Sequence, residues 1–225
     1  MSERPPRFSI LDLDAADEET IRQAANLLVE GFREGWPEAW PTEEEALEEV
    51  REALGEGRIC RAALGEDGTV LGWIGGIPAY DGKVWELHPL VVRPDLRRRG
   101  IGSALVVDLE ARVAEHGALT LWLGTDDETD MTTLSGVDLY PDVLGHLANM
   151  ENLREHPYEF YLKLGFSIIG AIKLQALACW LTPGGMSWSS VLGSTGSVPP
   201  SMNSSGPRFS KKAFRVWLTR LPGAS

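Results

Sequence analysis

The chain has 225 residues, of which 43% are hydrophobic and 24% charged, so it can bury a globular core. These proportions exclude wholesale disorder and collagen-like repeats, and no run of 18 apolar residues is present that could span a membrane. The N-terminus lacks the apolar stretch of a secretion signal. The two cysteines, Cys60 and Cys179, are too few for a disulfide framework and lack metal-ligand spacing. We therefore expect a cytoplasmic protein without a bound metal.

Charge is the most informative part of the composition. The net charge is −12, from 21 basic and 33 acidic residues. Such acidity disfavours nucleic acid and anionic membranes and favours cationic small molecules, although solubility alone also explains it. Residues 173–225 hold six basic residues and no Asp or Glu, which leaves −18 on residues 1–172. This second segment is rich in Ser, Gly and Pro, so we expect a domain over 1–172 and an atypical, poorly ordered basic tail over 173–225.

Hydrophobic spacing and turn residues predict one mixed α/β domain before residue 172. In chain order, the pattern predicts a helix over 18–34, a helix from Thr42, strands over 58–64, 70–78 and 84–92, a helix over 101–115, a strand over 119–124, a short helix ending at 164 and a strand over 166–172.

The most distinctive local feature is the basic, glycine-containing loop between the strand 84–92 and the helix that follows it. Glycines let a backbone approach a ligand closely, and free N–H groups at a helix start bind anions. With the three arginines of this loop, the pattern favours a phosphorylated cofactor. The chain contains neither a P-loop string nor Gly-x-Gly-x-x-Gly. An ordinary helix start with solvated arginines is the alternative at this point.

The loop has companions elsewhere in the chain. Arg97-x-x-Gly100-x-Gly102 after an apolar strand, with Phe160-Tyr161-x-Lys163-x-Gly165-Phe166 later, resembles the acetyl-CoA-binding core of the GCN5-related N-acetyltransferases. The strings 85–92, 123–127 and 152–161 are similar to those of the aminoglycoside 6′-N-acetyltransferases of that superfamily. The resemblance covers roughly residues 10–172.

The resemblance implies a mixed, mostly antiparallel sheet flanked by helices, with acetyl-CoA as co-substrate. It also implies acetyl transfer to the 6′-amino group of an aminoglycoside, which confers antibiotic resistance. An acetyltransferase for a polyamine or a protein lysine, and a degenerate acetyl-CoA-binding module, are the alternatives. Members of this family often form dimers, so a homodimer is a further expectation.

The same resemblance assigns catalytic roles. Glu86 matches the general base, acting through a water; a solvent-facing charge on an edge strand is the alternative. Strand alternation places His88 and Leu90 on the face of Glu86. There His88 either relays the proton or only makes hydrogen bonds. The Leu90 N–H matches the donor to the thioester carbonyl, and Tyr161 the group that protonates the departing thiolate. An ordinary core tyrosine is the alternative for Tyr161.

Binding roles fall on two groups of residues. Those expected at the cofactor are Leu90, Val91, Val92, Arg97, Arg98, Arg99, Gly100, Ile101, Gly102 and Ser103. Those expected at a cationic substrate are aromatic or acidic: Trp36, Tyr80, Glu86, Asp126, Asp127, Asp138 and Glu159. Asp126 and Trp36 are the leading candidates, and a solvated surface role is the alternative for each carboxylate.

After Ile172 the resemblance stops. Family members continue with a Lys-Pro-Asp-type string and a final apolar strand, whose loss would expose a sheet edge. Two interpretations are open. The segment from about residue 173 is either out-of-frame or vector-derived sequence, or a genuine basic extension that binds a partner or the protein's own acidic face. Residues 174–181 are a candidate replacement strand.

Overall fold

The computed structural model describes residues 6–173 and 214–222, which form one seven-stranded sheet covered by helices. The strands are β1 (Phe8–Asp12), β2 (Ile59–Gly65), β3 (Val70–Ala79), β4 (Val84–Val92), β5 (Thr120–Asp127), β6 (Ser167–Lys173) and β7 (Phe214–Arg220). The helices are α1 (Glu18–Phe32), α2 (Glu43–Ala53), α3 (Ile101–Glu115), α4 (Val143–Ala148) and α5 (Tyr158–Lys163). None of the described helices has the length and hydrophobicity needed to cross a bilayer.

The order of strands in the sheet is β1-β2-β3-β4-β5-β7-β6. Neighbouring strands are antiparallel except for β4 and β5, which are parallel. The predicted mixed, mostly antiparallel sheet is confirmed.

Two apolar cores lie against the sheet. Helices α1 and α2 pack with Trp73 and Val91 in one core, whereas α3 and α5 pack with Trp85 and Leu87 in the other. The strands therefore present one face to α1 and α2 and the opposite face to α3 and α5. This division decides which side chains can meet at the site.

The predicted helices and strands before residue 173 are confirmed, with ends that differ by up to about three residues. Thr42 caps α2 as expected, since its hydroxyl accepts the Glu45 N–H at 3.3 Å. Strand β1 and helix α4 were not predicted. Both are short, with five and six residues, which is too few to show a periodic signal.

The expectation of a poorly ordered tail over 173–225 is wrong for the segment that forms β7. Phe214–Arg220 lies inside the sheet, antiparallel to β5 on one side and to β6 on the other. Val216 and Leu218 are fully buried, so this strand supplies core as well as backbone pairing. The candidate replacement strand at 174–181 lies outside the described residues.

Candidate active site

The central feature of the site is a fork in the sheet. Strands β4 and β5 pair only over three positions, and the last of these joins Glu86 to Trp122. Both strands then continue, β4 to Val92 and β5 to Asp127, without further pairing to each other. The edge of β4 beyond Glu86 consequently offers backbone groups to a ligand that enters the fork.

A bulge shapes β4 beside this fork. The register between β3 and β4 shifts between Ile74 and Gly76, opposite the cis peptide bond His88–Pro89. Gly75 leaves room for the carbonyl group of His88, whose oxygen occupies the space that a Cβ would need. The shift also changes which face the side chains take. Leu90 packs in the core of Trp85 and Leu87, so the expectation that it shares the face of Glu86 is wrong.

Glu86 lies half-buried on the face of the sheet that carries α2. Burial raises the pKa of its carboxyl group above the ordinary value. The charges of His88 and Arg215 oppose this rise in the pKa, and that of Glu49 adds to it. A carboxylate with a raised pKa is a stronger proton acceptor than an exposed one, which suits a general base.

His88 faces the same side, as the alternation in β4 predicts. Its Nε2 lies 3.6 Å from Oε1 of Glu49 on α2, and its ring centroid lies 6.0 Å from that of Trp40. Glu49 is well covered, with 17% of its side chain exposed. The pair therefore adds a second carboxylate next to Glu86, one that the sequence analysis did not single out.

Three residues of β5 continue this face beyond Glu86. Trp122, Gly124 and Asp126 alternate with the buried Leu121, Leu123 and Thr125. The carbonyl oxygen of Asp126 accepts the indole N–H of Trp36 at 2.6 Å, so the two leading substrate candidates are brought together. The carboxylate of Asp126 has a partner already. Arg215 of β7 donates to both of its oxygens, at 2.6 and 2.8 Å.

Asp127 points to the opposite face and does not belong to the site. It is fully buried, and its two oxygens accept the backbone N–H groups of Met131 and Thr132, each at 2.8 Å. Both carboxylate oxygens thus hold the loop after β5 in place. The expectation that Asp127 contacts substrate is wrong, because successive strand residues face opposite sides.

Glu128 is an acidic residue that the sequence analysis did not single out. Burial, together with the charges of Asp126 and Glu38, raises the pKa of Glu128 to about 7. The charge of Arg215 opposes this rise in the pKa. No motif marks Glu128; only its position one residue past the end of β5 could have indicated it.

The basic loop leads into the start of α3. Gly100 has φ +89°, and a Cβ there would meet nothing within 4 Å. The first turn of α3 has neither a side-chain cap nor an acidic residue, so its N–H groups can bind an anion. Arg97 already has one hydrogen-bond partner, since its guanidinium donates to the Gly31 carbonyl at 2.6 Å. Arg98 forms an exposed ion pair with Glu155 at 3.0 Å.

The other predicted cofactor residues divide by environment. Ile101 and Val91 are buried in the two cores, so only their backbone groups can face a ligand. Half-buried positions are Leu90, Val92, Arg99, Gly102 and Ser103.

Tyr161 on α5 lies on the face opposite Glu86. Its ring is buried and packs edge-on against Phe160 and Phe166, at centroid distances of 5.0 and 5.6 Å. Burial raises the pKa of the phenol, which keeps its proton in place. Tyr161 is therefore a core residue with a protonated phenol, and its role as proton donor to the thiolate stays a prediction.

The remaining substrate candidates are exposed. Tyr80 is 70% exposed in the turn between β3 and β4. Asp138 accepts the Tyr140 N–H at 3.3 Å, and Glu159 lies 4.0 Å from Lys163 on α5. No contact in the described residues joins these three side chains to Glu86.

The chain is similar to known acetyltransferases in sequence and in fold. The model of the acetyltransferase (GNAT) family matches residues 21–145. A solved aminoglycoside 6′-N-acetyltransferase complexed with coenzyme A is 33% identical, with a TM-score of 0.72 and coverage of 96% of this chain and 98% of that one. The aminoglycoside 6′-N-acetyltransferase from Enterococcus faecium has the same identity and coverage, with a TM-score of 0.70. The aminoglycoside 6′-acetyltransferase type Ii is 28% identical, with a TM-score of 0.60 and coverage of 96% and 99%. No curated protein matches the sequence significantly.

Proposed function

Because the chain belongs to the acetyltransferase (GNAT) family, we propose that it transfers the acetyl group of acetyl-CoA to the 6′-amino group of an aminoglycoside. The observation that carries this proposal is the position of Glu86. It lies where β4 and β5 part, half-buried, on a face that also carries Glu49, Asp126 and Glu128. A face of this kind attracts a polycationic sugar and can deprotonate one of its ammonium groups.

Acetyl-CoA supplies an activated acetyl thioester. The residues present suit it at two places. The uncapped start of α3, with Gly100 and the neighbouring arginines, suits the pyrophosphate. The unpaired edge of β4 from Leu87 to Val92 suits the amide groups of the pantetheine arm, which would add to the sheet as an extra strand does.

Glu86 is the proposed general base. An aminoglycoside amine arrives as ammonium and must lose a proton before it can attack a carbonyl carbon. Glu86 accepts that proton through a water, and its raised pKa strengthens it for this task. His88 orients the water from the same face while Glu49 holds the imidazole at 3.6 Å.

Leu90 and Tyr161 act on the thioester. The backbone N–H of Leu90 donates to the carbonyl oxygen and stabilises the negative charge that develops there. Tyr161 donates its phenolic proton to the departing thiolate. Glu86 and Tyr161 come from opposite faces of the sheet, and the fork is where groups from both faces can reach one ligand.

Release of the CoA thiol tests the proposal. The purified chain is mixed with acetyl-CoA and, in separate reactions, with kanamycin, spermidine or a lysine peptide. Thiol release with kanamycin at a kcat/KM well above that for the other amines is expected. Preference for spermidine or for the peptide would identify a polyamine or protein acetyltransferase instead. Binding of acetyl-CoA without release for any amine would leave only a binding module.

A further inference from the structure

Arg215 brings a fixed positive charge onto the acidic face. It lies on β7, directly opposite Asp126 on β5, and both side chains project to the face of Glu86. Its guanidinium forms an ion pair with the carboxylate of Asp126, at 2.6 Å. Among the groups that act on its charge are Glu86 and Glu128 as well as Asp126.

The side chain is held in a defined position. Its stem crosses Gly124, where an added Cβ would lie 2.8 Å from Cδ and 3.3 Å from Nε of Arg215. The guanidinium lies 5.7 Å from the ring centroid of Trp217, which itself packs on Trp122 at 4.8 Å. Glycine at position 124 thus provides the space that the cation occupies on β5, between Trp122 and Asp126.

We propose that Arg215 is a specificity-determining residue, whose guanidinium fills the carboxylate subsite at Asp126 that would otherwise take a second ammonium group of the substrate. The inference rests on the proposed function, because it concerns the same face. The bidentate pair occupies both oxygens of Asp126 and compensates its charge, and only about a third of the Arg215 side chain is exposed. A sugar with several ammonium groups must therefore bind without a contact to Asp126 or displace Arg215 from it. A sugar with a single reactive amine needs to do neither.

Equilibrium binding tests the role of Arg215 separately from catalysis. Kanamycin and methyl 6-amino-6-deoxyglucoside, which carries one amine, are titrated by calorimetry into the full chain at low salt, without acetyl-CoA. Arg215→Met keeps most of the stem and removes the charge. We expect it to tighten kanamycin binding about tenfold and to change monoamine binding less than twofold. Added salt should reduce the gain.

Two further variants complete the design. The double variant Arg215→Met with Asp126→Asn should lose the gain, because the released carboxylate is then absent. Arg215→Lys keeps the charge and should bind kanamycin as the wild type does. If Arg215→Met does not fold, Arg215→Gln, which keeps a donor for Asp126, gives the same comparison.

The proposal is overturned if loss of the charge leaves the ratio of the two dissociation constants unchanged, or if it weakens kanamycin binding. Either result would make Arg215 a structural tie between β5 and β7 alone. Absence of thiol release with every amine would refute the proposed function instead, and the binding ratio would still report on Arg215.

Discussion

The bulge of β4 opposite Gly75 gives the sharpest prediction about the strand that carries Glu86. In Gly75→Ala, the new Cβ would stand inside the van der Waals shell of the His88 carbonyl oxygen, 3.1 Å from the carbonyl carbon and 3.5 Å from Pro89 Cδ. The clash is with backbone, so no side-chain rotation relieves it. β4 must retreat by about 1 Å between His88 and Leu90, a misplacement that costs on the order of a hundredfold in rate. Overpacking of this kind also costs about 1–3 kcal/mol of stability.

Thiol release and thermal unfolding of the same preparation check this prediction. Gly75→Ala should lose most of kcat at a temperature where the variant remains folded. Gly170→Ala on β6 is the matched control, because its Cβ would meet nothing within 4 Å, and it should stay within about 0.5 kcal/mol of wild type. Wild-type kcat and melting temperature in Gly75→Ala would refute the proposed link between the bulge and the positioning of His88 and Leu90.

Three other substitutions test the assigned roles. Glu86→Gln should lower kcat/KM about a hundredfold or more and flatten the rise of kcat/KM with pH, because Glu86 acts as a base only above its raised pKa. A steep rise that persists in the variant would exclude Glu86 as the base. The same variant should melt higher at pH 8 than wild type, because the folded state penalises the ionised carboxylate; equal melting points would contradict the burial effect. Tyr161→Phe should lower kcat with little change in the KM for acetyl-CoA, and an unchanged kcat would reduce Tyr161 to a core residue. In Asp127→Asn, an amide N–H faces the N–H of Met131 or Thr132 in place of an acceptor, so the free energy of unfolding measured by chemical denaturation should fall by about 2–4 kcal/mol. A variant of unchanged stability whose KM for the substrate alone is altered would place Asp127 in the site.

Periodicity was sufficient to predict the elements that frame the site. The apolar stripe of α1, the threonine cap of α2 and the apolar run of β4 are local signals, and each element formed where it was predicted. The same local reasoning placed Glu86 and His88 on one face. These predictions held because burial of one face follows directly from residue spacing.

Other features depend on contacts that spacing does not contain. The face of Leu90 is set by the bulge at Gly75, whose cause lies on another strand. Asp126 and Asp127 are an exception, because alternation along β5 does turn them to opposite faces; the predicted strand ended at residue 124, too early to include them. The raised pKa of Glu128 comes from burial and from the charges of Asp126 on β5 and Glu38 on the loop after α1, which only the fold brings together.

Strand β7 bears on the two interpretations of the basic segment. Its sequence alternates, with Val216 and Leu218 buried and Trp217 between them directed to the other face. Each of its two arginines meets a carboxylate of the acidic part of the chain, Arg215 at Asp126 and Arg220 at Glu110 of α3, 2.9 Å away. A strand in a random reading frame has no reason to combine this alternation with two complementary ion pairs on opposite faces of one sheet. For these residues the arrangement favours a genuine extension that binds the protein's own acidic face. Within the net charge of −12, two positive charges of the basic segment are therefore paired with carboxylates of residues 1–172, and one of these carboxylates is Asp126.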